Sequence, residues 1–153
     1  MHISRAVEYG VLGLMALARR PIGAVVMIDE VSREEDIPKS FLAKIFQSLA
    51  KAGLVRSVRG TGGGFALTKT PEEITILDVI QAVEGPIALQ RCLDVNSSCV
   101  HTESCALCSI FAVAQDRLKE TFAATSLATL ARQQAVMPMA NRRGKAIPVM
   151  AEA

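Results

Sequence analysis

The sequence predicts a mainly α-helical fold with a small β-hairpin, a winged helix-turn-helix followed by a long dimerisation helix. Three observations carry that prediction. Half of the residues are hydrophobic and only 4% are aromatic, and the apolar positions recur at helical spacing through most of the chain. One stretch, "LVRSVRGTGGGFALT", switches to a strand-like rhythm on either side of a glycine cluster. A basic amphipathic helix stands directly before that hairpin, which gives the order helix, helix, turn, helix, hairpin.

At 153 residues and 16.4 kDa the chain suits one domain with its own core plus an appended element, not two large domains. No apolar run approaches the ~20 residues that cross a bilayer, so no membrane partner is expected. The opening "MHISRAVEYGVLGLMALARR" has a charge, Glu8, inside its apolar part. Its apolar residues Val7, Val11, Leu14, Met15 and Ala18 keep helical spacing. It reads as the first helix of the fold, not as an export signal. A cytoplasmic location with reduced thiols follows as the expectation.

The first helix should run from Ser4, a good N-cap, to about Ala18, where "RRPIG" breaks it. A short helix follows in "VMIDEVSREED". The third, in "IPKSFLAKIFQSLAKAGLV", is the best delimited. Pro38 fits its first turn, and Gly53 followed by Leu54 fits a left-handed C-terminal cap. Phe41, Leu42, Ile45, Phe46 and Leu49 form one stripe expected to face a core. Ser40, Lys44, Gln47 and Lys51 share the opposite face, and their hydroxyl, ammonium and amide groups can reach phosphates and base edges.

Charge supports that reading. The net charge is only +2, but between Ile37 and Thr70 six basic residues and no acidic ones occur. A field of one sign over about a fifth of the chain suits a polyanion. Lys39, Ser40, Lys44, Gln47, Lys51, Arg56 and Arg59 are therefore the candidate DNA-binding residues. The glycine-rich tip "GTGGG" leads into a strand and lacks the Gly-Lys-Ser/Thr that opens a helix in a phosphate-binding loop, so it is read as a wing tip.

Beyond the hairpin, "TILDVIQAVEG" is a compact helix with capping-box spacing at Thr75 and Asp78, ended by Gly85-Pro86. In "ALCSIFAVAQDRLKETFAATSLATLARQ", Leu107, Ile110, Phe111, Ala114 and Leu118 form a stripe too long for this domain to cover alone, which suits a homodimer. The expected organisation is a DNA-binding domain over 1–86, a cysteine-rich loop over 87–108, a dimerisation helix over 105–132 and a flexible tail over 133–153.

All four cysteines lie in "CLDVNSSCVHTESCALC", residues 92–108. Structural zinc usually takes two well-separated Cys-x2-4-Cys or His knuckles, and only "CALC" qualifies. A wide loop of thiolates is closer to iron–sulfur ligation, where soft donors select iron–sulfide or zinc. His101 and Glu103 stand in the same loop. A thiol switch, which needs two cysteines, and a structural role are the other readings of the cluster.

At these residues the chain resembles the winged-helix transcription factors of the IscR, NsrR and RirA type, the Rrf-two family. The resemblance covers about residues 1–132. It rests on "RAVEYGVLGLMALA", "KSFLAKIFQSLAKAGLVRSVRGTGGGFAL", "ITILDVIQAVEG" and the cysteine loop. It implies a homodimer that holds an iron–sulfur cluster, 2Fe-2S or 4Fe-4S, before the long helix, and that binds an inverted-repeat operator in double-stranded DNA according to cluster state. Cys92, Cys99 and Cys105 match the three cysteines of the family, with a first gap one residue longer than in the IscR pattern. Ser40 and Arg59 match DNA-contacting positions. Where IscR-type proteins carry Glu-Gln, this chain has Ala43-Lys44, which implies a different operator.

For a fourth ligand two residues compete. Cys108 stands where IscR-like relatives carry a histidine. Glu8 stands where NsrR-like relatives offer a carboxylate from the partner subunit. Softness and spacing favour Cys108, with Glu8 as the rival. The function expected is a cluster-controlled transcriptional regulator sensing iron, redox or nitric oxide status. The rival is a cluster-free winged-helix repressor that senses thiols or a metabolite. No nucleophile–base pair stands out, so no enzymatic activity is expected.

Overall fold

The computed structural model of the chain describes residues 3–94 and 105–136. In order these form α1 (Arg5–Ala18), α2 (Ile28–Glu35), α3 (Lys39–Lys51), β1 (Val55–Val58), β2 (Gly64–Leu67), α4 (Ile76–Glu84), a 3-10 turn (Arg91–Leu93), α5 (Ala106–Ala124) and α6 (Leu127–Val136). Ser4 takes the N-cap position of α1 as predicted, though its side chain makes no capping bond and its N–H donates to Glu84 Oε1 at 2.8 Å.

The helix-turn-helix is set by its caps. Asp36 ends α2 in the left-handed conformation, φ 53°, which short polar side chains tolerate better than branched ones. Its neighbour Ile37 sends its N–H back to the Ser32 carbonyl at 3.0 Å. Pro38 is the N-cap of α3, one position before the helical turn predicted for it. At the other end Gly53 has φ +76°. The Leu54 N–H bonds the Leu49 carbonyl and the Gly53 N–H bonds the Ala50 carbonyl, both at 3.0 Å. This is the paired bond pattern of a left-handed helix stop, which satisfies two carbonyls α3 would otherwise leave open.

β1 and β2 pair antiparallel from Val55↔Leu67 to Val58↔Gly64. Val26 adds a bridge to Phe65 with two 2.9 Å bonds, so the segment before α2 is pinned to the wing. Gly64 makes that approach possible, since a Cβ there would stand 2.1 Å from the Val26 carbonyl oxygen.

Leu14, Leu42, Phe46, Leu49, Ile74, Val79 and Leu127 are fully buried in one core drawn from α1, α3, α4, α6 and the segment just before α4. The capping box of α4 is formed: Asp78 N–H donates to Thr75 Oγ1 at 3.1 Å, and Thr75 N–H donates to Asp78 Oδ2 at 2.9 Å.

Three expectations need correction. Phe41 does not face the core: it is 61% exposed, while Leu42, Ile45, Phe46 and Leu49 are buried. Four apolar positions already fill the width of helix that the core covers, and Phe41 falls outside that arc. The predicted continuous helix is also broken. Thr125 is extended, its carbonyl accepts the Ile76 N–H at 2.9 Å, and Leu127 donates to the Ile74 carbonyl at 2.9 Å. Ser126 Oγ then accepts the Thr129 N–H and starts α6, which turns Leu127 and Ala128 into the core. Third, residues 133–136, read as the start of the tail, belong to α6; residues 137–153 lie outside the described residues.

Candidate DNA-binding face and thiol site

The first site is the exposed face of α3 with the wing. Lys39, Ser40, Lys44, Gln47 and Lys51 are all exposed on α3, and Arg56 and Arg59 are exposed on the hairpin. The structure thus puts all seven predicted residues on the surface of adjacent elements. Two of them have partners within the chain. Lys39 Nζ stands 2.7 Å from Asp29 Oδ1, in the first turn of α2. Arg56 Nη2 donates to the Gly23 carbonyl at 3.2 Å, which ties the wing to the α1–α2 loop. Lys44, Lys51 and Arg59 have no ion-pair partner among the described residues.

Asp29 and Phe41 belong to this face although the residue pattern did not point to them. Asp29 is one carboxylate among several in "IDEVSREED" and nothing local separates it. Phe41 was absorbed into a hydrophobic stripe it does not join.

Behind this face a charge network braces the loop before α2. Arg20 is bound by Glu34 and by Glu30, the latter at 2.7 Å. Hydrogen bonding to Arg20 holds the Glu34 carboxyl below its ordinary range, and Glu34 in turn raises the Arg20 guanidinium above its own. Arg19 Nη1 reaches the buried Glu35 at 2.8 Å.

The second site lies at the start of α5. Cys92, in the 3-10 turn, is half-buried, and Cys108, in the first turns of α5, is 4% exposed. Cys108 Sγ–H donates to Cys92 Sγ at 3.1 Å. Cys105 is the N-cap of α5 and half-buried. The segment carrying Cys92 is tied down nearby, where the Leu89 N–H donates to the Oε1 of the buried Gln115 at 3.0 Å. Gln115 was missed by the sequence reading; its signal is the seven-residue step from Cys108, which puts both on one helix face.

Among the described residues no three His, Cys, Asp or Glu side chains converge as a metal site. Cys99, His101 and Glu103 lie outside the described residues. Glu8 is exposed on α1, on the rim of an apolar depression lined by Val7, Val11, Ile80 and Phe122. Phe122 is fourteen residues along α5 from Cys108, about 21 Å at helical rise. That depression is therefore remote from the thiols of the same protomer.

The model of the Rrf2 family, described as an iron-dependent transcriptional regulator, matches residues 3–133. The chain belongs to the Rrf2 family. It is 30% identical over 143 residues to the HTH-type transcriptional regulator IscR of Photorhabdus laumondii, covering 94% of this chain and 87% of that one. Among solved structures it is similar to CymR (YrzC), the global cysteine regulator of B. subtilis, with a TM-score of 0.67 and 27% identity, covering 87% of this chain and 98% of that one. T. potens IscR has the same fold, with a TM-score of 0.69 at 23% identity over 92% of this chain and 94% of that one.

The chain is therefore a DNA-binding transcriptional regulator of the Rrf2 family and not an enzyme, and its mainly α fold with a hairpin wing is the one its sequence predicts. No helix among the described residues is long and apolar enough to cross a membrane.

Proposed function

We propose that this Rrf2 regulator acts as a homodimer on an inverted-repeat operator and that an iron–sulfur cluster held by Cys92, Cys99, Cys105 and Cys108 controls its binding. The observation that carries the reading is the meeting of Cys92 and Cys108 sulfurs, 3.1 Å apart, beside the helix start capped by Cys105. Soft sulfur donors at the head of a helix are the donor set that suits iron–sulfide, so the residues present fit the group. Such a cluster supplies a centre that responds to iron supply, oxidants or nitric oxide.

The chain's own part is to couple that loop to DNA. Cys105 and Cys108 stand in the first turns of α5, whose Leu118 and Phe122 pack with Ile80 and Ile87. α4 in turn packs on α1 and α3. Ordering the start of α5 thus bears on the seat of the reading helix. At the DNA, Lys44 and Gln47 read bases or adjacent phosphates, Arg59 docks the wing, and exposed Phe41 offers its ring to a thymine methyl.

Cys108 is preferred to Glu8 as fourth ligand because it touches Cys92 directly, whereas Glu8 could serve only from the partner subunit. Anaerobic reconstitution of the full chain and of each Cys→Ala and Glu8→Ala variant, with iron, acid-labile sulfide and visible spectra, tests the assignment. Loss of the cluster in Cys108→Ala but not in Glu8→Ala is expected. Zinc without sulfide in every preparation would refute it.

A second reading is favoured by the similarity to CymR, a cysteine regulator. On that reading the chain works without a cluster as a thiol or metabolite sensor. A colourless protein whose operator affinity follows thiol state or an added metabolite, with no iron uptake, would select it.

A further inference from the structure

We propose that Cys92 and Cys108 form a reversible redox pair in the metal-free chain, closing to an intramolecular disulfide when a peroxide reaches them. The inference concerns the chain without metal and stands whether or not a cluster is ever held.

Proximity is the first argument. The two sulfurs are in contact at 3.1 Å although sixteen positions separate the residues in sequence. Two thiolates sharing one tetrahedral metal ion, each about 2.3 Å from it, stand about 3.8 Å apart. The observed separation is shorter and lies between that value and the ~2.05 Å of a disulfide. In the metal-free chain the pair is therefore close enough for direct sulfur–sulfur chemistry, while a shift of less than about 1 Å would suit a shared metal.

Mobility is the second. Closing the bond requires one sulfur to approach the other by about 1 Å. Cys108 is fixed within a nineteen-residue helix, α5. Cys92 sits in a single 3-10 turn held by the Leu93 N–H to Gln90 and the Asp94 N–H to Arg91. The short turn can give where the helix cannot.

Access is the third. Cys92 is half-buried and Cys108 is 4% exposed, so the oxidant meets Cys92 first and Cys108 resolves the product. The Cys92 thiolate attacks one peroxide oxygen, the O–O bond breaks, and a sulfenic acid forms as the other oxygen leaves as water. The Cys108 thiolate then attacks the Cys92 sulfur, the S–O bond breaks, and a second water leaves. Two thiols and one hydrogen peroxide give one disulfide and two waters, with sulfur oxidised and peroxide reduced. A thiol reductant reverses the bond by exchange. While it lasts, two thiolates are withdrawn from any metal.

The test uses the full chain, stripped with a chelator under reductant, desalted anaerobically and treated with equimolar hydrogen peroxide. Titratable thiols should fall from four to two per chain, intact mass should fall by two hydrogen atoms, and non-reducing peptide mapping should link Cys92 to Cys108. Dithiothreitol should restore all of this. Cys92→Ser and Cys108→Ser should lose the link, and Cys99→Ser and Cys105→Ser should keep it. A link between another pair, oxygen adducts in place of a link, or a link surviving in Cys108→Ser would overturn the proposal. Iron and sulfide uptake by the reduced chain is measured separately; its failure would count against the cluster reading and leave this result standing.

Discussion

The ring of Phe46 in α3 meets the ring of Phe65 in β2 edge-on, with centroids 5.0 Å apart and planes at 66°. Edge-to-face pairs add ~0.5–1.5 kcal/mol beyond the area they bury. This pair joins α3 to the wing, so the proposed reading helix and the wing form one body. Phe46 is 1% exposed and Phe41, five residues earlier on the same helix, is 61% exposed. Phe46→Ala should cost ~3–5 kcal/mol of stability, and Phe41→Ala no more than ~0.5 kcal/mol. Denaturant melts of both variants would check the contrast. Phe41→Ala should nevertheless weaken operator binding, and a core role for Phe41 would be restored if the two variants were equally unstable.

Gly13 is a second consequence of where Phe46 sits. A Cβ on Gly13 would come 2.6 Å from Phe46 Cε2 and 3.2 Å from Leu42 Cδ1, whereas on Gly10 the nearest atom is Ile45 Cγ2 at 3.3 Å. Alanine gains ~1 kcal/mol over glycine in a helix interior, and overpacking a filled core costs ~1–3 kcal/mol. Gly13→Ala should therefore be destabilising and Gly10→Ala close to neutral. Thermal melts that ranked them the other way would mean the α1–α3 contact is looser than this.

The ion pair between Lys39 and Asp29 joins side chains that are 58% and 53% exposed, so it contributes ~0–1 kcal/mol to stability. Its larger effect is on charge beside the reading helix. Asp29→Asn should release Lys39 for a phosphate and steepen the salt dependence of operator binding by about 0.9 in log–log slope. Affinity measured over a salt series in both proteins decides this. An unchanged slope would mean that Lys39 makes no phosphate contact.

Acid should weaken the brace behind the helix-turn-helix. Glu34 is held below the ordinary carboxylate range, first by its hydrogen bond to Arg20 and then by the charges of Arg20 and Arg19, against some desolvation. A carboxyl whose folded pKa is depressed stabilises the fold above its unfolded pKa and loses that contribution as pH falls through the folded value. Wild type should exceed Glu34→Gln in denaturation midpoint at pH 7, and the difference should shrink below about pH 4.5. A difference that persisted at pH 3 would have to come from packing.

Local signals made most of this fold legible. The glycine stop after α3, the capping box of α4 and the hairpin around "GTGGG" are each written in adjacent residues, and each forms as read. What failed depended on the tertiary environment. Phe41 satisfies the stripe rule and misses the core, because periodicity gives a face and not its width. The break at Thr125 depends on the distant segment before and into α4, where the Ile76 N–H donates to the Thr125 carbonyl and the Ile74 carbonyl accepts from Leu127. The basic face was legible as a charge window, but the carboxylate that holds Lys39 was not. The spacing put Cys92 and Cys108 in one set of thiols, but the direct contact of their two sulfurs depends on the 3-10 turn that carries Cys92.

The outer face of α5 carries the prediction for assembly. Leu107, Ile110 and Val113 are 58%, 66% and 63% exposed, while Leu118 and Phe122 turn inward to Ile80 and Ile87. Three large apolar residues at steps of three make a stripe that water solvates poorly, and the depression lined by Val7, Val11, Ile80 and Phe122 is an apolar surface of matching kind. In the proposed homodimer the stripe is covered, and a charge placed there is buried without a partner in both subunits at once. That costs at least ~3 kcal/mol per protomer, so the dimerisation constant of Ile110→Glu should fall by more than 100-fold. Sedimentation should find Ile110→Glu monomeric at micromolar concentration. Its affinity for an inverted repeat should drop toward that for a half-site, because α3 and the wing are untouched. A variant that still sediments as wild type would place the dimer contact elsewhere and leave the stripe without that role.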